Sequence, residues 1–334
     1  MTHRVTGLRQ SDPTPLRGIT QRWRLASAVF GKARFARAIA VTPATHAQFD
    51  SSRPLAFMHV PKTAGTSLAA ALIDTLRPRA PIGGFDRVLF GDYEDFTNLH
   101  EEIRRVVYLS PDAMPAEADL VTGHIAYSSL RQRYPDAQLI TVLREPFSRV
   151  LSHWLYWRGL SDERLAPWGS WADRVRQSHL SLAEFLSSRL LACHLDNLVV
   201  RMLLWPHWLI PIDDFIDPEH DRWLLTEAHG RLGDFSFVDV VENPELPGQL
   251  QRWLARPFAS DRRNETGRVP EPLNRPLVAE LTLEALDLLA HRSRLDLELW
   301  RAVARRCLRG RDPDHLREQT LVRNTAHYAM LMGA

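Results

Sequence analysis

Lys62, in the run Pro61-Lys62-Thr63-Ala64-Gly65-Thr66-Ser67, is one of two lysines in a chain of 334 residues; the other 40 cations are arginine. Indifferent placement would put about 0.06 lysines in a ten-residue window. An ammonium is a compact, mobile charge, while a guanidinium is a planar fork made for fixed bidentate contacts, so Lys62 marks a place where a small donor must follow moving charge. The residues after it suit the same chemistry. Gly65 permits close backbone approach, Thr66 and Ser67 add hydroxyls, and a helix beginning here would turn unpaired N–H groups toward an anion. The order is not that of a Walker A loop, whose Lys follows the last Gly and directly precedes Ser or Thr; Lys62 instead precedes Gly65, and no glycine opens the loop. The loop is expected to hold a phosphate-like group, but not as nucleoside triphosphatases do.

Two further positions extend the pattern. Arg144 ends the apolar run Gln138 to Leu143, and Ser152 follows two turns into the next helical stretch. An arginine at a strand's carboxyl end, where open α/β sheets bind ligands, together with a hydroxyl on the next helix, makes a second anion clamp apart from the first. His124 follows Leu120-Val121-Thr122 through Gly123, so it too is expected at a strand's carboxyl end. A histidine beside two anion sites is a candidate general base. His59 and His153 are expected to border the same crevice.

The elements that must position these residues read as alternating strands and helices. Leu55 to Val60 is a short buried strand, with an alanine- and leucine-rich helix over Leu68 to Leu76. Val106 to Leu109, Leu120 to Thr122, Gln138 to Leu143 and Phe235 to Glu242 are further strands, and Phe147 to about Arg158 is a helix. This pattern predicts an α/β fold with a P-loop-like, mainly parallel sheet flanked by helices. Residues 161 to 227 read as a helical, irregular insertion, with Ser181 capping a helix through Cys193 and another helix over Leu195 to Leu204. The longest helical pattern runs from about Leu277 to Leu308.

Composition excludes several classes. Hydrophobic residues at 45%, charged residues at 25% and ten tryptophans exclude a disordered or low-complexity chain. No run approaches the ~18 apolar residues of a membrane span, and the first residues lack the apolar core of a secretory signal. Two cysteines, Cys193 and Cys307, exclude a disulfide framework and a cysteine-rich zinc site; they read as reduced, buried thiols in a cytoplasmic protein. No metal is expected. Residues 1–53 carry eight Arg and one Lys against two Asp, a basic arm on an acidic body. Within it Trp23, Val29, Phe30, Phe35 and Ile39 recur loosely at helical spacing. Such a segment either meets polyanions or an anionic membrane surface, or packs on its own domain, which is the plainer reading. No specific nucleic-acid contact is expected.

Together these residues resemble a known family. Phe57 to Ser67 is similar to the 5′-phosphosulfate loop of carbohydrate sulfotransferases, and Leu143-Arg144-Glu145-Pro146-Phe147-Ser148-Arg149-Val150-Leu151-Ser152-His153-Trp154 to their 3′-phosphate segment. The subgroup resembled is that of the heparan sulfate 2-O- and 6-O-sulfotransferases and their bacterial relatives. Gly123-His124 matches the place of its catalytic histidine; Asp196 to Met202 and Arg263-Asn264-Glu265-Thr266 match two shorter signatures. The resemblance covers roughly residues 54 to 305, which gives a basic arm over 1–53, a sulfotransferase domain over 54–310 and a tail over 311–334. It implies 3′-phosphoadenosine 5′-phosphosulfate (PAPS) as cofactor. Lys62, Thr63, Ala64, Gly65, Thr66 and Ser67 would hold the 5′-phosphosulfate, Arg144 and Ser152 the 3′-phosphate, and His124 and Lys62 would be catalytic.

The implied acceptor is a carbohydrate or glycoconjugate, which would make the helical insertion the acceptor side. Trp154, Trp157, Trp168, Trp171, Trp205 and Trp208, interleaved with Arg158, Arg164, Arg174, Arg176 and Arg201, suit sugar faces and acidic substituents, although ordinary core packing is expected to account for at least half of these tryptophans. The competing functions are a small-molecule kinase of P-loop type and a catalytically silent nucleotide-binding module.

Overall fold

Strand β1 (Leu55–Met58) shows how the sheet is built. Its side chains alternate: Leu55 and Phe57 enter one apolar cluster with Leu68, Leu72, Ile140 and Trp253, whereas Ala56 and Met58 enter the larger cluster on the other face. A strand wanted by two cores has no polar face, hence the uninterrupted apolar run. Full burial of a side chain such as Phe57 contributes roughly 1.5–3 kcal/mol. The computed structural model describes residues 48–259, 267–308 and 310–332. The amphipathic arm pattern of Trp23 to Ile39, Lys32 and the signature Arg263 to Thr266 lie outside the described residues.

Five more strands complete one sheet: β2 (Pro81–Asp86), β3 (Val107–Tyr108), β4 (Leu120–His124), β5 (Gln138–Leu143) and β6 (Phe237–Val240). Their order is β3-β2-β4-β1-β5-β6, with every pairing parallel. Parallel pairing sends each connection over a face, and helices cover both. The longer helices are α1 (Gly65–Leu76), α2 (Tyr127–Arg133), α3 (Pro146–Arg158), α4 (Leu182–Ser187), α5 (Leu198–Leu204), α6 (Asp221–Gly233), α7 (Leu246–Leu254), α8 (Leu283–Cys307) and α9 (Pro313–Leu331).

The predicted strands and helices form, with shifted ends, and one strand is additional. Pro81-Ile82-Gly83-Gly84-Phe85-Asp86 carries a proline and two glycines, which read locally as a turn. It pairs as β2 because β4 supplies its partner, and Gly84 lies so close to Gly123 that a side chain at 123 would meet the Gly84 carbonyl at 2.6 Å. The helix predicted from Ser181 through Cys193 is shorter. Ser181 does cap it, in a reciprocal capping box with Glu184, but α4 ends at Ser187. The pattern from Leu277 to Leu308 is also divided: a short helix ends at Glu280, and Thr282 caps α8 afresh through the Ala285 N–H.

Residues 311–332 pack on the body. α9 buries Arg317, Leu321 and Tyr328 and lies against α3, α8 and the short helix Leu277–Glu280. Cys193 and Cys307 are both free thiols, and their sulfurs meet the carbonyls of Leu89 and Val238, respectively. No helix among the described residues is long and apolar enough to cross a membrane.

Candidate active site

β1 delivers the chain into the loop at its carboxyl end. Lys62 and Ala64 both adopt left-handed backbone, with φ of 68° and 60°. Such conformations cost a non-glycine residue energy, and they cluster at functional sites. Ala64 occupies the N-cap of α1 and offers no side-chain acceptor, so the start of this helix is left for another acceptor. Thr63 is used internally, its hydroxyl donating to the Val60 carbonyl at 2.9 Å. Gly65 is required by packing: a Cβ there would fall 1.8 Å from the His59 ring. Thr66 is exposed and Ser67 buried.

Arg144 leaves the end of β5, next to β1, and joins this loop. Its Nη1 donates to the Lys62 carbonyl at 2.9 Å and its Nη2 to the Tyr328 hydroxyl at 2.7 Å. Both bonded partners are uncharged oxygens. The Lys62 ammonium sits 3.9 Å above the ring of Tyr156, a cation–π contact from α3. Burial first, and repulsion from Arg144 second, lower the Lys62 pKa to about 8.

α3 begins where its sequence says it can, with Pro146 in the first turn and Glu145 accepting from the Ser148 N–H. Glu145 is held by Arg317, and its own N–H donates to Glu242, which also accepts from Trp300. Ser152 lies on α3 one turn before Tyr156, so it belongs to the face turned toward Lys62. It is only 4% exposed and is less open to a ligand than expected.

His124 closes β4. Its Nδ1 lies 2.6 Å from the His59 carbonyl, which places the proton on Nδ1 and leaves Nε2 as the basic nitrogen. The His59 ring packs 4.2 Å from it, and Phe85, paired with His124 across β2 and β4, lies at 5.5 Å. Desolvation lowers the His124 pKa to about 4; the bond to His59 opposes the shift and the charge of Lys62 adds to it. Asp86 steadies the following turn by accepting from the Ala126 N–H at 2.9 Å. The imidazole is thus neutral near pH 7, oriented, and able to take a proton at Nε2.

The fold therefore brings Lys62, Arg144 and His124 to the carboxyl ends of the three adjacent strands β1, β5 and β4. His59 joins them, but His153 does not line an open crevice; it is buried against Trp157 and His194. The tryptophans also divide. Trp154, Trp157 and Trp171 belong to the core, Trp168 meets Phe85 edge-on at 5.4 Å, and Trp208 is 83% exposed. Arg158 and Arg201 are buried on backbone carbonyls, and Arg174 and Arg176 pair with aspartates.

Tyr156 could have been found from its i+4 spacing after Ser152. Tyr328 and Asp86 carry no local signal. A surface cleft of about 440 Å³ lies at the opposite, amino ends of the strands, around Pro54, Asp119 and Tyr134, away from all of these groups. Comparison with protein-family models and with curated proteins gave no match for this chain.

Proposed function

We propose that the protein is a sulfotransferase that moves the sulfuryl group of PAPS to a hydroxyl of a carbohydrate acceptor, on a P-loop-like sheet. One observation carries the reading: Arg144 donates to the carbonyl of Lys62, so the two expected anion sites are tied together at adjacent strand ends, with His124 on the other side of Lys62. The residues fit the two charged ends of PAPS. At one end are the uncapped start of α1 and the Lys62 ammonium; at the other is Arg144, held by neutral oxygens. Two cations kept close, with burial first and repulsion from Arg144 second depressing the Lys62 pKa, are a site that an anion relieves.

PAPS when bound supplies an activated sulfuryl group, whose bond to the bridging phosphate oxygen breaks as the acceptor oxygen bonds to sulfur. The chain's own groups manage the charges. His124 Nε2 accepts the proton of the acceptor hydroxyl, and the His59 carbonyl holds Nδ1–H and stabilises the resulting imidazolium. Lys62 meets the negative charge that grows on the departing phosphate oxygen, as preorganised donors do in group transfer. Lys62 and Arg144 afterwards retain the nucleotide product.

The test is calorimetric binding of 3′-phosphoadenosine 5′-phosphate (PAP) without magnesium, together with transfer of labelled sulfate to a panel of glycans. Binding is expected to weaken by about a hundredfold in Lys62→Ala and Arg144→Ala, and transfer but not binding to be lost in His124→Ala. Magnesium-dependent ATP turnover, or equal PAP binding by both Ala variants of the cationic residues, would overturn the reading.

A further inference from the structure

The last described helix carries none of the motifs, yet it reaches the residues expected to grip the 3′-phosphate. Arg317 and Tyr328 lie about three turns apart on one buried face of α9. Arg317 Nε donates to Glu145 Oε1 at 3.1 Å, and its guanidinium lies 4.5 Å over the ring of Phe147. The Tyr328 hydroxyl accepts from Arg144 Nη2 at 2.7 Å and donates to the Ser148 carbonyl at 3.2 Å. α9 thus touches the strand-end arginine and the first turn of α3 together. The N–H of Val269 donates to the Leu331 carbonyl at 3.0 Å and fastens the end of the helix.

The chemistry of the hydroxyl matters. Tyr328 is 3% exposed, so its O–H needs partners, and it has them as donor and as acceptor. A carboxylate in its place would fix Arg144 equally well but would neutralise it. A phenol fixes the guanidinium and adds no charge to its surroundings, where the buried Glu242 carboxyl already interacts with Arg144. Of the five N–H groups of an arginine, the bonds to Lys62 and Tyr328 use two, which leaves three for a ligand.

We infer that Tyr328 is a positioning residue for Arg144: its uncharged hydroxyl fixes the guanidinium beside Lys62 with its charge reserved for an anion, which makes the C-terminal helix part of the cofactor site. The inference rests on the proposed function, in which that anion is the 3′-phosphate. The experiment compares Tyr328→Phe with the unaltered chain for binding of PAP and of adenosine 5′-phosphosulfate, which lacks the 3′-phosphate.

PAP is expected to weaken about five- to tenfold, the net size of one ordinary hydrogen bond. Adenosine 5′-phosphosulfate is expected to change less than about twofold, since the lost hydrogen bond serves the 3′-phosphate. In an Arg144→Ala background the same substitution should have no further effect. Equal weakening of both nucleotides, an undiminished effect without Arg144, unchanged PAP binding or unfolding of the variant would each overturn it, because the hydroxyl would then serve the fold alone or nothing. If the unaltered chain bound neither nucleotide, the sulfotransferase reading would fail, and this inference with it.

Discussion

At the residue scale, Lys62 joins a strained backbone to a depressed pKa. Arginine keeps the charge but not the shape: its planar fork cannot occupy the ammonium's place over Tyr156 and still follow a moving oxygen. Lys62→Arg is therefore expected to lower kcat for sulfate transfer by about a hundredfold or more, the order lost with one oxyanion donor, while the melting temperature hardly moves. The pH profile follows from the same residues. His124 must be neutral, which holds above its pKa of about 4, and Lys62 must be protonated, which holds below its pKa of about 8. A plot of kcat/KM against pH should rise through the first value and fall through the second, and Lys62→Arg should abolish the alkaline limb. Lys62, Arg144 and His124 were legible because each stands at the end of a local pattern. Tyr328 was not, since its partner Arg144 is 184 residues away and nothing near Tyr328 in the chain refers to it.

At the element scale, hydrogen bonds given in both directions interlock α5 with α8. Asn197 adopts left-handed backbone at the N-cap of α5, and its side-chain oxygen accepts from the Leu295 N–H. Asp296 answers from α8, its carboxylate accepting from the N–H groups of Val199 and Val200 at the start of α5. Below them Asp196 and Arg201 form a wholly buried ion pair at 3.0 Å. The sequence showed Asp196 to Met202 as a signature; the structure makes it a joint between helices. Arg201→Met leaves the buried Asp196 with the longer ion pair to Arg294, at 3.7 Å, and should reduce unfolding free energy by about 3 kcal/mol, the lower end for a broken buried pair, in urea titrations. Strands β1 and β5 were readable because burial on both faces imposes apolar runs. β2 was hidden because its Gly-Gly serves close strand approach, a tertiary demand that looks like a turn in one dimension.

At the scale of the whole molecule, the interior holds several imidazoles in the neutral form. Burial lowers the pKa of His194 to about 3 and those of His59 and His153 well below the usual value, with His124 at about 4. In the unfolded chain each returns to about 6.5. Their contribution to stability is therefore complete above pH 6.5 and is lost as pH falls below it, since the unfolded chain then binds more protons. Asp296, raised to about 6 by burial, acts in the opposite sense between that value and its unfolded pKa near 4. Burial also raises Asp86, Asp239 and Glu242, which act in the same sense as Asp296. Among the described residues, the six histidines whose pKa is lowered, His179 and His229 included, outnumber these four carboxyls. The urea midpoint is expected to be lower at pH 5.5 than at pH 7.5, and replacing His194 by Gln should shrink the difference.

The bond between Arg144 and Tyr328 also sets an order of events during synthesis. At about 5–20 residues per second, a ribosome needs roughly 10–40 s to pass from one to the other. Through that interval β1, β4 and β5 can already pair, and Lys62 and His124 can already meet. The Arg144 guanidinium, on the other side of Lys62 from His124, still lacks its second anchor. Under the proposed function, a nascent chain holds nucleotide poorly until α9 has docked.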